Sequence, residues 1–483
     1  MLAYIREGRQ MTRQERLQLI VGLSIPSILA QISATVMFFI DASMVGHLGE
    51  KASAAIGLVE TTTWLMGGLG MAVNMGFSVQ VAHFIGASDF EGARRVLRQS
   101  LVCSMAWSLL LSITGIAVHR YLPYWLGGTA EIADDASMYF MLIGVCGIFF
   151  QMEGLAGSML KCSGNMKIPS ALNIMMCVLD VVFNYIFIYI LGMGVMGAAL
   201  GTGLAELVTA ALMLYFLLWR SDMLHLFRGC RLHTPQSPNP TSHLSPPTSH
   251  FSPPTSHLSP LKSFRPTSDV VFTAFKIGAP MGLQHLLMGG AQIVSTMIVA
   301  PLGTVAIAAN SLAITVESLC YMPGYGIAEA ATTLVGQGIG AGQRMLTHSF
   351  ARLSVGLGVG VMTVMGVLMG VFAPELMSLM SPVESIIAEG TVALRIEAWA
   401  EPMFAASIVC NGVFIGAGDT IKPAMMSLAS MWGVRLSLAA ILARNYGLKG
   451  VWTAMAIELT FRGIIFLWRL FYGHWQDSMK GKD

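Results

Sequence analysis

Apolar runs of about 20 residues recur along the entire chain, each long enough to cross a bilayer as a helix. In hydrocarbon only helices and closed barrels satisfy their own backbone groups. Runs of this length therefore commit the chain to an all-α, polytopic membrane fold. The charge content agrees: Asp, Glu, Lys and Arg make up 11% of the 483 residues, against about 25% in soluble domains. The hydropathy pattern predicts twelve spans. Six lie near 17–42, 54–82, 98–118, 134–158, 168–190 and 194–219; six more lie near 270–300, 305–334, 351–373, 385–411, 421–442 and 447–471.

Lys and Arg orient these spans, because cytoplasmic loops carry the excess of them. With both ends cytoplasmic, inside segments hold 21 of the 28 basic residues, from Arg6, Arg94 and Lys161 to Arg469 and Lys482. Outside loops hold five: Lys51, Arg120, Arg395, Arg444 and Lys449. An even number of crossings in a cell membrane, inner or plasma, is expected. The polar start "MLAYIREGRQMTRQERLQ" leads straight into a full-length span, so no cleaved signal is expected. The seven cysteines stand singly and form no disulfide or zinc pattern.

The second half repeats the first at one offset. Pro26 matches Pro280, Gly49 matches Gly303, Gly86 matches Gly340, Gly164 matches Gly418 and Pro169 matches Pro423, each 254 residues apart. One register held this long marks a duplicated six-helix unit. Six crossings are even, so the copies share an orientation. They should form two lobes related by a pseudo-two-fold along the membrane normal, with substrate between them near mid-bilayer. The expected layout is a cytoplasmic N-terminus 1–16, an N-lobe 17–219, a linker 220–268, a C-lobe 269–472 and a tail 473–483. Within the linker, residues 241–260 read "TSHLSPPTSHFSPPTSHLSP". Proline at that density builds neither helix nor core, so a disordered spacer is expected there, rather than a histidine metal site.

Acids inside apolar spans are costly and mark function. Asp41 stands about eight residues, or roughly 12 Å, from the outer turn after span one. Asp180 and Asn184 are i and i+4, on one face of span five. Asn184 and Thr202 flank the turn near Met193 by nine residues each, which sets them at one depth. Asp41, Asp180, Asn184 and Thr202 are thus expected to converge in the outer half of the N-lobe. At +254 the copy has Ser295, Val434 and Leu438. Burial raises a carboxylic acid's pKa from about 3.9 by up to 3–5 units, which suits a group that loads and releases a proton. Pro26 lies 15 residues before Asp41 and interrupts the helical ladder, a ready hinge.

Several stretches resemble the multidrug and toxic compound extrusion (MATE) family. They are "SIPSILAQISATVMFFIDASMVGHLGEKASAAIG" in span one, "ATTLVGQGIGAG" after span eight, the paired turns "LKCSGNMKIP" and "FIGAGDTIKP", and "GMGVMGAALGT" opening span six. The resemblance implies antiport: organic compounds, often cationic or amphipathic, leave as protons or sodium ions enter. It implies no cofactor and no nucleic acid, and the chain is expected to work as a monomer. In the family an aspartate of span one, with polar partners on spans five and six, forms the N-lobe ion site; Asp41, Asp180, Asn184 and Thr202 hold the matching positions. Some relatives have Asn before Asp on span five, where this chain has Asp180 before Asn184. Met288 and Phe404 stand where the sodium-coupled branch has acids, so coupling through the N-lobe alone is expected, as in the DinF-like branch.

Glu317, Glu60 and Glu153 are expected to face the central cavity and attract cationic cargo, with Met288 beside them. Glu458 and Arg462, at i and i+4, should pair, and Arg435 should find an acid. A flippase for a lipid-linked saccharide is the alternative cargo reading, but only Arg435 and Arg462 lie within spans to meet a polyphosphate. No HExxH, GxSxG or Walker motif is present, so neither an intramembrane enzyme nor an ATP-driven pump is expected.

Overall fold

The structure, a computed structural model, describes residues 2–9, 11–226 and 264–477. The repeat at 241–260 and most of the predicted linker lie outside the described residues.

A short helix, α1 (Leu2–Arg6), precedes the first span. Spans one to four are α2 (Arg13–Gly46), α3 (Glu50–Gly86), α4 (Phe90–Val118) and α6 (Ala130–Cys162), with a one-turn α5 (Leu122–Trp125) before the last. Spans five and six are α7 (Lys167–Tyr185) and α8 (Gly194–Tyr215), each extended by a π-helical turn. The second set opens with α9 (Ser268–Val299), α10 (Thr304–Gly340) and α11 (Arg344–Val371). After the short α12 (Ala373–Met380), span ten is α13 (Glu384–Ala398) and α14 (Glu401–Gly416), which meet at a 59° bend.

The final helical stretch, Ile421–Tyr472, runs 52 residues. At 1.5 Å per residue that would be about 78 Å, more than twice the hydrocarbon thickness. It comprises α15 (Ile421–Ala429), a π segment Ser430–Leu436 and α16 (Ser437–Tyr472), and it reverses inside α16 at Gly447, where φ is +58°. Past the reversal, a Cβ on Gly450 would stand 2.3 Å from the Leu442 carbonyl oxygen, so the two arms lie against each other. Spans eleven and twelve are thus a hairpin, and the chain has twelve spans in two six-helix lobes.

The capping chemistry explains the start of α2. Thr12 accepts from the Glu15 amide at 3.2 Å, and Glu15 accepts from the Thr12 amide at 2.8 Å. Pro26 lies inside α2, which stays helical through it, as α9 does through Pro280.

The duplication reappears as symmetric packing. The lobes meet through α2 on α10 and α3 on α9, with α3 crossing α10. At that crossing a Cβ on Gly86 would lie 2.1 Å from the Gln337 carbonyl oxygen, and one on Gly340 1.9 Å from the His83 carbonyl oxygen. His83 and Gln337 are 254 apart, as are Gly86 and Gly340. Two bonds across the seam follow the same rule: His83 Nε2 pairs with the Gly416 carbonyl at 2.8 Å, and Gln337 Nε2 donates to the Cys162 carbonyl at 2.8 Å. These contacts sit near the face that carries both described ends and most Lys and Arg, the basic face.

Candidate functional site

The N-lobe cluster forms where the sequence placed it. Asp41 projects from the last two turns of α2, about 8 Å from the helix end at Gly46. Asp180 and Asn184 sit on the inner face of α7, both buried. Asn184 Nδ2 donates to Asp41 Oδ1 at 3.1 Å and to Asp180 Oδ2 at 3.1 Å, using both amide hydrogens. The Asp41 carboxyl and the Thr202 hydroxyl both lie against the Asp180 carboxyl. Glu206, one turn beyond Thr202 on α8, faces the same group. Asp180 Oδ1, Asn184 Oδ1 and Glu206 Oε2 are buried with no hydrogen-bond partner among the described residues. Nor does any Lys or Arg there pair with Asp41, Asp180 or Glu206. Acceptor oxygens thus outnumber donors, which suits a site that binds a proton or a small cation.

Local packing explains the glycine beside it. A Cβ on Gly201 would stand 2.1 Å from Asn184 Oδ1, so α8 admits the amide only because residue 201 has no side chain. The "GMGVMGAALGT" stretch therefore builds the site as well as the helix pair.

The other candidates spread out. Pro26 is in α2, between Asp41 and the basic face. Glu60 is exposed on α3 and accepts from Trp64 Nε1 at 3.3 Å. Met288 is half-buried beside Ala291, Met431 and Leu436. Glu153 lies within the N-lobe, where Asn173, in the amide orientation that satisfies its neighbours, donates to it at 3.0 Å. Glu458 and Arg462 pair at 3.1 Å. Arg435 finds Glu458, Glu317 and Glu397.

Glu317 sits within the C-lobe rather than in an open cavity. Together with Glu397 and Glu401 it forms a buried group whose carboxylate oxygens lie within 4.8 Å of one another. The four oxygens of Glu397 and Glu401 have no hydrogen-bond partner among the described residues. These two acids flank the 59° bend between α13 and α14. Sequence comparison at +254 missed the group because it is no copy of the N-lobe cluster: the equivalents of Glu317, Glu397 and Glu401 are Thr63, Ile143 and Gly147. The available signal was the Glu397/Glu401 spacing of four inside an apolar span. Unlike the N-lobe cluster, this group has a cation at hand, Arg435.

The family model MatE matches residues 26–186 and again residues 280–441. The chain belongs to the MatE family. Its two matches begin at Pro26 and Pro280, the first pair of the internal repeat. It is 24% identical to the probable multidrug resistance protein NorM of Thermotoga maritima over 463 residues, 95% of this chain and 92% of that one. A probable multidrug resistance protein NorM of Synechocystis is 26% identical over 481 residues, 96% of this chain and 95% of the relative. Among solved structures, the outward-facing conformation of a multidrug resistance MATE family transporter of the MOP superfamily shares the fold. Its TM-score is 0.84 at 22% identity, covering 97% of this chain and 98% of that one. As a member of a transporter family, the chain is a multi-pass membrane transporter and not an enzyme.

Proposed function

We propose that the chain is a secondary antiporter that exports organic compounds, often cationic or amphipathic, by alternating access as protons or sodium ions enter. The observation that carries this reading is the Asn184 amide bridging Asp41 and Asp180, with no basic side chain paired to either among the described residues. A group of this kind changes its hydrogen bonds when one carboxyl gains a proton or both share a cation. Because Asp41 is on α2 and its partners are on α7 and α8, that change is felt between helices. In the proposed cycle, cation binding draws α2 against α7 about Pro26 and narrows the outer vestibule. The multidrug names of the relatives support the cargo class.

The basic face is the cytoplasmic one, so both termini are cytoplasmic, in a cell membrane. In this reading the lobes span 17–219 and 269–472, joined by the linker 220–268. Glu60, exposed on α3, is the acid best placed to meet cationic cargo, with Met288 as a further candidate; the burial of Glu153 and Glu317 argues for roles inside the lobes. A saccharide-lipid flippase is disfavoured by the family match and by acids, rather than cations, at the N-lobe cluster.

The test is dye efflux from proteoliposomes driven by a pH or a sodium gradient. Asp41→Asn and Asp180→Asn are expected to abolish gradient-driven exchange while the purified proteins still bind dye. Exchange at the native rate in Asp41→Asn overturns the reading, and the gradient that drives the native protein identifies the ion.

A further inference from the structure

The seam between the lobes breaks its symmetry at a largely shielded ion pair. Lys161, in the last turn of α6, reaches across to Glu329 on α10, Nζ to Oε1 at 2.8 Å. Both side chains are largely shielded, at 20% and 23% exposure. Helix α2 joins them: Ser27 Oγ donates to Glu329 Oε2 at 2.8 Å and Gln31 Nε2 to Glu329 Oε1 at 3.3 Å. Thr333, one turn beyond Glu329, donates to the Lys161 carbonyl at 3.2 Å. At the pseudo-symmetric place these groups become Ile415 for Lys161, Met75 for Glu329, Met281 for Ser27 and Val79 for Thr333. All four pack in one apolar cluster. Gln31 becomes His285, so one side of the seam has four apolar groups and a histidine where the other carries an ion pair.

The charged side has a second acid. Glu153, two turns earlier on α6, acts on the same Lys161 ammonium, from inside the N-lobe and held by Asn173. When the lobes part at the basic face, Glu329 leaves with α10 while Glu153 stays with Lys161. A shielded ammonium that lost its only partner would oppose opening strongly. A second acid on its own helix removes that obstacle.

We propose that Lys161 is a two-position charge switch: paired with Glu329 it latches the basic face shut, and on opening it transfers to Glu153. The apolar equivalent across the pseudo-two-fold acts as the fulcrum. Helix α2 connects this latch to the ion site, since Gln31 stands ten residues, about 15 Å along the helix, from Asp41. This inference rests on the alternating-access reading, but its deciding measurement, the labelling rate, needs neither cargo nor gradient.

Cys162 follows Lys161, is buried at the seam and reports its opening. The measurement is the rate of maleimide labelling of Cys162 in the full-length protein in nanodiscs, resolved by peptide mass spectrometry. Glu329→Gln is expected to raise the rate several-fold, because the latch is gone. Glu153→Gln is expected to lower it, because the open state has lost the acid that receives Lys161. In the exchanged pair Lys161→Glu with Glu329→Lys, protection of Cys162 should return. Dye turnover should not, since a carboxylate at position 161 is repelled by Glu153 instead of being received by it. Glu329→Asp and Glu153→Asp give the same signs at smaller amplitude and stand in for a Gln variant that does not fold. Shifts of opposite sign support the switch. Shifts of one sign, or none, overturn it. Opposite shifts in a protein that exchanges no ions would instead refute only the antiport reading.

Discussion

Asn184 spends both of its amide hydrogens on Asp41 and Asp180, so it has no donor in reserve for a further acceptor. Its geometry rests on Gly201. A Cβ there would press on Asn184 Oδ1 at 2.1 Å. Gly201→Val is expected to displace the amide and cost about 1–3 kcal/mol of overpacking, with gradient-driven efflux lost while the protein still inserts and purifies as a monodisperse species. The control is Gly144→Ala on α6, where a Cβ meets nothing within 4 Å. That change should leave efflux intact and raise stability by about 0.5–1 kcal/mol, read from thermal melting. The four side chains of the N-lobe site were legible in the sequence because their depths follow from counting residues to a turn. The Glu397/Glu401 spacing of four was visible, but their convergence with Glu317 depends on the bend between α13 and α14, which no spacing announces. Arg435 makes that group testable in its own right. Removing one partner of a buried ionic group costs roughly 3–5 kcal/mol. Arg435→Met should therefore destabilise by about that amount, and adding Glu397→Gln should recover part of it.

At the scale of elements, the sequence marked all twelve spans and left two features hidden. One is the broken span ten, where Trp399 and Ala400 separate α13 from α14 with no proline between the halves to signal it. Pro402 follows at the second position of α14, where its missing N–H costs nothing. The other is the π segment Ser430–Leu436, which rotates Arg435 relative to the α15 that precedes it. A π turn needs one extra residue per turn and has no compositional signature. Gly447 was legible as a boundary between spans, and its reason is conformational: φ of +58°. Gly447→Ala is expected to lower stability by about 1–2 kcal/mol, the cost of a left-handed conformation with a Cβ, seen as a lower melting temperature with unchanged cargo specificity. The glycines at the α3–α10 crossing act differently. Gly340→Ala places a methyl 1.9 Å from the His83 carbonyl, so it should push the basic face open and accelerate Cys162 labelling. A slower rate would show that the crossing does not hold the seam closed.

Over the whole molecule, two lobes of one ancestry carry unlike chemistry. The N-lobe has three acids, Asp41, Asp180 and Glu206, with no cation beside them among the described residues, whereas the C-lobe acids lie close to Arg435. In the proposed cycle a proton added to the first group comes and goes with the motion of α2, whereas one added to the second competes with a fixed guanidinium charge. Coupling through the N-lobe alone therefore has a thermodynamic signature. A pH difference of one unit is worth about 1.36 kcal/mol per proton. With the voltage clamped at zero, exchange of one proton per cargo molecule holds about a tenfold cargo ratio across the membrane, and two protons about a hundredfold. If the coupling ion is the proton, the native protein in proteoliposomes should reach the tenfold limit. Reversing the pH difference should reverse the ratio, because an antiporter has no preferred direction of its own. Glu397→Gln with Glu401→Gln should leave that limit in place, altering only the rate, whereas Asp41→Asn should collapse the ratio to one. A native ratio near a hundredfold that falls to tenfold in the double Gln variant would instead make the C-lobe acids a second coupling site, and the asymmetry between the lobes would then lie in timing rather than in stoichiometry.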